Sequence, residues 1–166
     1  MTTISEFPPF YTQQPNGTTL AQQLSLWQRH ILATCKQRRQ FKLSYSDDIW
    51  ANDKIKRAAS KDFIGAILES IVKDGVAAFT DASKDSVWVY WRSLAEWSEI
   101  VYDYVLNTAQ LNTPLTYYEL TQGEYSHLSE LHQLPVEILK MAINILTKQS
   151  KAAIIKSSQG EGVKFF

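Results

Sequence analysis

Cysteine is nearly absent from this chain: Cys35 is the single one in 166 residues. No disulfide framework or cysteine-built zinc site can be made from it. An excess charge of either sign is missing as well. Seventeen Lys and Arg stand against seventeen Asp and Glu, so the formal net charge is zero. A nucleic-acid binder carries a basic stripe to neutralise phosphates. Here the densest basic run, Lys36-Gln37-Arg38-Arg39, is short and complements the dipole at a helix end. No apolar run approaches the ~20 residues that span a bilayer. The N-terminus lacks a basic-then-apolar signal, and Pro8-Pro9 would break one. These absences predict a soluble, cytosolic chain with no nucleic-acid face.

Reactive chemistry is equally sparse. His127 and His132 lie in a polar loop with Glu124 and Glu130, but zinc needs closer-set ligand pairs on ordered elements. His30 reads as a boundary residue of an amphipathic helix and Cys35 as a small core residue. Gly160-Glu161-Gly162 is the turn of a terminal hairpin, because no strand ends into it and no helix follows. The sequence therefore predicts no catalytic, cofactor-binding or metal-binding residue, and no enzyme.

What the chain does have is aromatic residues: five Trp and eight Tyr, with Phe7-Pro8-Pro9-Phe10-Tyr11 ahead of the first helix. Two consecutive prolines fix φ and remove two backbone donors. The stretch is expected near polyproline II, extended and solvated. Three large rings on such a tail expose apolar surface that a partner must cover. Phe7, Phe10 and Tyr11 are thus candidate partner anchors, with Pro8 and Pro9 setting their spacing. Pro8-Pro9-Phe10-Tyr11 also satisfies the PPxY pattern read by WW domains, which makes a WW-binding adaptor an alternative.

Along the body of the chain, Thr19 and Gln22 suggest a capping box. Leu20, Leu24, Trp27 and Ile31 recur at helical spacing, predicting a helix over 20–39. Phe41, Leu43 and Tyr45 alternate as a short strand. Asp47-Asp48 reads as a turn and 50–57 as a short helix. Ser60 caps a helix striped with Phe63, Ile64, Ile67, Leu68, Ile71 and Val72, and Gly75 is placed for a left-handed C-terminal cap. Residues 76–80 and 86–91 pair as a hairpin, with Val87, Val89 and Trp91 on one side and Trp88 and Tyr90 on the other. Ser93 with Glu96, and Thr116 with Glu119, form further capping boxes. The first opens a helix to about Thr108; the second opens a short one. Residues 122–134 read as irregular. Pro135 takes a first helical position before a helix lined by Val136, Leu139, Ile143 and Leu146. Residues 152–156 and 163–166 form a closing hairpin around a turn at 157–162.

The two halves share one order (helix, short element, helix, hairpin) at an offset of about 75 residues, which reads as a tandem repeat. Three helices ending in a β-hairpin are the winged-helix form of helix-turn-helix. The predicted fold is α+β and mainly helical: an extended partner-docking tail over 1–18, one winged-helix domain over 19–92 and a second over 93–166. Trp88, Trp91 and Trp97 gather where the domains join, predicting an aromatic-packed interface there. A winged-helix DNA-binding protein is the other alternative. Against it, the two would-be reading helices carry few cations and no arginine, whereas phosphate and guanine contacts rely on both cationic residue types.

Phe7-Pro8-Pro9-Phe10-Tyr11-Thr12 with Gln14-Pro15-Asn16 resembles the N-terminal signature of the small subunit of the ESCRT-II complex, the vacuolar protein sorting 25 family. The resemblance continues at Gln22-Gln23-Leu24 and Trp27, from Trp91-Arg92 to Glu96-Trp97, at Tyr118-Glu119-Leu120 with Gly123-Glu124, and at Gly162-Val163-Lys164-Phe165-Phe166. It is weakest between Tyr45 and Ser60. Only Met1 to Glu6 precede the motif, where members of the family often carry further proline-aromatic residues. The resemblance implies two winged-helix domains that bind protein. It implies a complex with the two larger ESCRT-II subunits, two copies of this chain in each, docked through Phe7, Pro8, Pro9, Phe10 and Tyr11. It further implies that residues 93–166 recruit the initiating subunit of ESCRT-III. The expected role is sorting of ubiquitinated cargo into multivesicular endosomes, with the chain cytoplasmic and reaching endosomal membranes only through the complex.

Overall fold

Asn16 opens the first long helix, α1 (Gly17–Arg38): its side-chain oxygen accepts from the backbone N–H groups of Thr18 and Thr19 at 3.0 and 3.2 Å. The helix thus starts before the predicted Thr19 cap, because an asparagine oxygen satisfies two of the orphan donors at once. The computed structural model describes residues 4–166; the first three residues of the expected tail lie outside them. Two compact units emerge, one ending at Trp91 and the other running Arg92–Phe166. Among the described residues no helix is long and apolar enough to cross a membrane.

In the first unit, α1 leads into strand β1 (Lys42–Ser44). The predicted helix over 50–57 does not form. A 3-10 turn over Asp48–Trp50 is followed by a two-stranded ribbon, β2 (Ala51–Asn52) and β3 (Arg57–Ala58). The Asn52 side chain accepts from the Lys54 N–H at 3.0 Å, and Lys56 sits at φ 53°. Such local side-chain bonding offers the backbone an alternative to helix. Helix α2 (Lys61–Lys73) begins as predicted at Ser60, whose hydroxyl accepts from the Phe63 N–H. It ends at Gly75, φ 79°, with Gly75 N–H bonded to the Val72 carbonyl and Val76 N–H to that of Ile71. Those two bonds define a Schellman cap, which needs the left-handed conformation glycine adopts without strain. Strands β4 (Ala77–Phe79) and β5 (Ser86–Val89) close the unit in sheet order β1-β5-β4. Val87 and Val89 face the core beside Leu43, against Phe63, Ile67 and Ile71 of α2 and Trp27, Ile31 and Cys35 of α1. Trp91 packs on Phe41, centroids 5.2 Å apart.

The second unit follows the same order of long helix, strand, long helix and hairpin, but carries a short helix where the first has its β2–β3 ribbon. Helix α3 (Leu94–Asn107) is capped by Ser93, whose hydroxyl accepts from Glu96 N–H at 3.1 Å. Strand β6 (Leu115–Thr116) leads into α4 (Tyr117–Gln122), where the Thr116 hydroxyl accepts from Glu119 N–H. Helix α5 (Val136–Lys148) follows, with Pro135 as its cap rather than its first residue. Strands β7 (Ala152–Ser157) and β8 (Gly160–Phe165) form a longer hairpin than predicted, closed by two residues. Gly160-Glu161-Gly162 is therefore strand, paired to β7 throughout. Gly162 also lies opposite Thr116 of β6, so the backbone bonds of a three-stranded sheet hold extended what the composition suggested as a turn. The sheet order, β6-β8-β7, matches that of the first unit. Trp97, Val101 and Val105 of α3 and Ile138, Leu139, Ala142 and Ile143 of α5 are buried in its core. Arg92 lies over the Trp97 ring at 5.3 Å and forms a forked ion pair with Glu130.

Candidate docking site

The stretch predicted as an extended tail is folded. Pro8–Tyr11 makes a turn of 3-10 helix, with Phe10 N–H bonded to the Phe7 carbonyl at 3.0 Å and Thr12 N–H to that of Pro9 at 3.2 Å. Proline suits the first positions of a helical turn, where its missing N–H has no acceptor to serve. The predicted exposure of three rings is also corrected: Phe10 and Tyr11 are 2% and 3% exposed, and only Phe7, at 54%, stands in solvent. The cover comes from the chain's own α1. Phe10 stacks on Trp27 with centroids 4.0 Å apart and planes 10° from parallel, while Tyr11 meets the same indole edge-on at 5.6 Å. His30, one turn along, presents its ring to the edge of Phe10.

The buried Phe10 carbonyl needs donors, and one of those that reach it from α1 also extends to the more exposed carbonyls of Pro9 and Thr12, which the Gln14 side chain serves as well. Gln23 and Trp27, one helical turn apart on one face of α1, are those donors. The Gln23 amide nitrogen lies 3.1, 3.2 and 2.7 Å from the carbonyls of Pro9, Phe10 and Thr12. Its oxygen accepts from Gln14 N–H at 3.2 Å. The Trp27 indole N–H donates to the Phe10 carbonyl at 2.8 Å. On the far side, the Tyr11 hydroxyl and the Asn52 amide both donate to the Ser5 carbonyl at 2.8 Å. Burial raises the Tyr11 phenol above its usual value, partly offset by Asn52, so the hydroxyl keeps the proton it donates.

Of the five predicted docking residues, the structure brings Phe10 and Tyr11 into the core and leaves Phe7 and Pro9 exposed, with Pro8 half-buried between them. Gln23 is the residue that sequence reasoning passed over. Its signal was present: it is a glutamine in register with Trp27, Ile31 and Cys35 on the buried stripe of α1, and a buried amide requires partners.

The second unit carries a separate open cleft of about 440 Å³ between α4, α5 and the β7–β8 wing, lined by Tyr117, Lys140, Met141, Ile154 and Glu161 among others. Lys140 sits over the Tyr117 ring at 5.3 Å, and the Tyr117 hydroxyl donates to Glu161. Burial, followed by the Glu161 carboxylate, raises the Tyr117 phenol. His132 is engaged with the Ser126 hydroxyl at 3.0 Å. Among the described residues no group of three or more His, Cys, Asp or Glu is placed to hold a metal ion.

Fold and site together define a tandem winged-helix protein that presents a folded proline-aromatic knob on its first long helix. A family model described as "ESCRT-II complex subunit" matches residues 4–135. The chain is 36% identical over 164 residues to vacuolar protein-sorting-associated protein 25 of Homo sapiens, covering 96% of this chain and 93% of that one. It superposes on the crystal structure of subunit VPS25 of the endosomal trafficking complex ESCRT-II with a TM-score of 0.89 and 26% identity, covering 100% of this chain and 98% of the other. It also superposes, at a TM-score of 0.82 and 28% identity, on a chain of the crystal structure of endosomal complex ESCRT-II (VPS22/VPS25/VPS36), covering 96% and 95%. This chain belongs to the ESCRT-II complex subunit family.

Proposed function

We propose that this chain is a non-enzymatic subunit of an endosomal ESCRT-II complex, present in two copies and docked on counterparts of VPS22 and VPS36 through the segment Phe7, Pro8, Pro9, Phe10 and Tyr11. The observation that carries the reading is the near full-length likeness to a chain of the solved VPS22/VPS25/VPS36 complex. The folded motif supports it, because a rigid apolar knob loses less entropy on binding than a free tail. The second winged helix recruits the initiating subunit of ESCRT-III, for which the cleft beside α5, with Ile154 and Ile155 exposed on the wing, offers an apolar surface. The task is sorting of ubiquitinated cargo into multivesicular endosomes, with the membrane reached through the complex.

The alternatives fit less well. A WW domain reads an extended PPxY segment with its tyrosine free, whereas Tyr11 here is locked into the core of its own unit. DNA reading meets the same shortage of cations on α2 and α5 that the sequence displays.

Co-expression with the two larger subunits, followed by native mass measurement, tests the proposal. The expected mass contains both larger subunits and two copies of this chain. A chain that elutes alone would overturn the reading. For the second unit, a crosslinking map with the ESCRT-III partner should fall within residues 93–166, and one confined to the first unit would refute that assignment.

A further inference from the structure

One groove on the first unit has an unusual lining. It measures about 300 Å³ and runs between the knob and α1, lined by Ile4, Phe7, Pro9, Phe10 and Leu26 together with uncharged polar residues, Gln23 among them. One residue in five of this chain is charged, yet none of the groove's lining residues is. Phe7 and Leu26 are its large exposed apolar side chains, at 54% and 37%. The same turn of chain therefore has two faces. The inner one, Phe10 and Tyr11, is spent on Trp27; the outer one, Phe7 and Pro9, is open beside Leu26 of α1.

We infer that Gln23 is a positioning residue that holds the knob in its binding shape before any partner arrives, and that the partner reads Phe7, Pro9 and Leu26 while Phe10 and Tyr11 serve only as its inner anchors. This rests on the proposed docking through the same segment and names the atoms that touch. The occupant is an uncharged aliphatic or aromatic side chain of a larger ESCRT-II subunit. A charged group would lose its hydration in this groove with no counter-charge to meet it. Gln23 acts because its amide nitrogen, fixed on α1, reaches the carbonyls of Pro9, Phe10 and Thr12 together, whereas Thr12 N–H and the Gln14 side chain, which also serve Pro9 and Thr12, belong to the segment itself and cannot tie it to the helix. Removing that donor frees the turn without removing any contact surface.

The test is calorimetric titration of the full chain into the co-purified larger subunits, with hydrogen exchange run in parallel. Phe7→Ala with Leu26→Ala should weaken binding about tenfold or more, as truncation of a central apolar contact does, with Trp27 fluorescence unchanged. Gln23→Met, equal in bulk, should weaken it by a similar factor and lose amide protection in residues 4–14 while α2 stays protected. Gln23→Glu adds a readout that packing alone does not move: its carboxylate repels the three carbonyls at pH 8 and, once protonated toward pH 5, donates again and regains affinity. Wild-type affinity in the Phe7–Leu26 double variant overturns the inference and leaves the proposed function standing. So does wild-type affinity in Gln23→Met with protection of residues 4–14 lost. Absence of binding by the unaltered chain overturns the proposed function and this inference with it.

Discussion

Phe10 lies flat on Trp27, ring centroids 4.0 Å apart, while the carbonyl of the same Phe10 accepts from the indole N–H of the same Trp27 at 2.8 Å. One tryptophan thus meets both the apolar and the polar demand of one residue in the proline-rich turn. That double contact converts a segment with a polyproline composition into part of a hydrophobic core.

The energetic consequence is direct. Phe10→Ala should destabilise the first unit by about 3–5 kcal/mol, the range for deleting a buried phenylalanine ring. Phe7→Ala, on the exposed face, should change stability by no more than about 0.5 kcal/mol. Urea denaturation followed by tryptophan fluorescence compares the two, and equal effects would contradict the two-faced knob.

Gly123 ends α4 where a Cβ would collide with the backbone carbonyl oxygen of Glu119. A backbone atom cannot rotate away as a side chain does. Gly123→Ala is expected to cost the second unit about 1–3 kcal/mol by overpacking, visible as a lowered transition in differential scanning calorimetry.

Cys35 should be inert in the native protein. Burial, and then the charge of Asp47, push its thiol up to about 12, with Arg38 opposing in part. The thiolate is the nucleophile, so Ellman's reagent at pH 8 should label the chain only after urea unfolds it. Rapid labelling of the folded chain would show that α1 opens.

His30 carries a pH dependence of defined sign. Burial, and then the Arg38 charge, hold its imidazole below the usual value of 6.5, so the folded state binds fewer protons than the unfolded one as pH falls past that point. Stability is fully present above pH 6.5 and declines as acidification runs from there toward the lowered folded value. Replacing His30 by Gln should flatten the decline that sets in as pH falls below 6.5, read as urea midpoints on either side of that pH.

The helices and caps of both units were readable because they depend on neighbours within a turn. Ser60, Ser93 and Thr116 each bond the N–H three residues on, and the stripe Phe63, Ile64, Ile67, Leu68 and Ile71 is buried at helical spacing as written. Misreadings fell where a side chain competed with the backbone or a distant strand intervened. Asn16 displaced Thr19 as a cap, Asn52 turned a predicted helix into a ribbon, and pairing with β7 and β6 held Gly160 and Gly162 in a strand.

By itself the sequence determined the doubled helix–strand plan and the proline-aromatic motif that matters most, since each is carried by residue type and short-range spacing. Tertiary structure alone decided which way that motif faces. Two adjacent prolines permit both an extended tail and a helical turn, and the choice fell to residues 13 and 17 positions beyond Phe10. Gln23 and Trp27 satisfy the turn's carbonyls and cover its rings, so the turn is the lower-energy state.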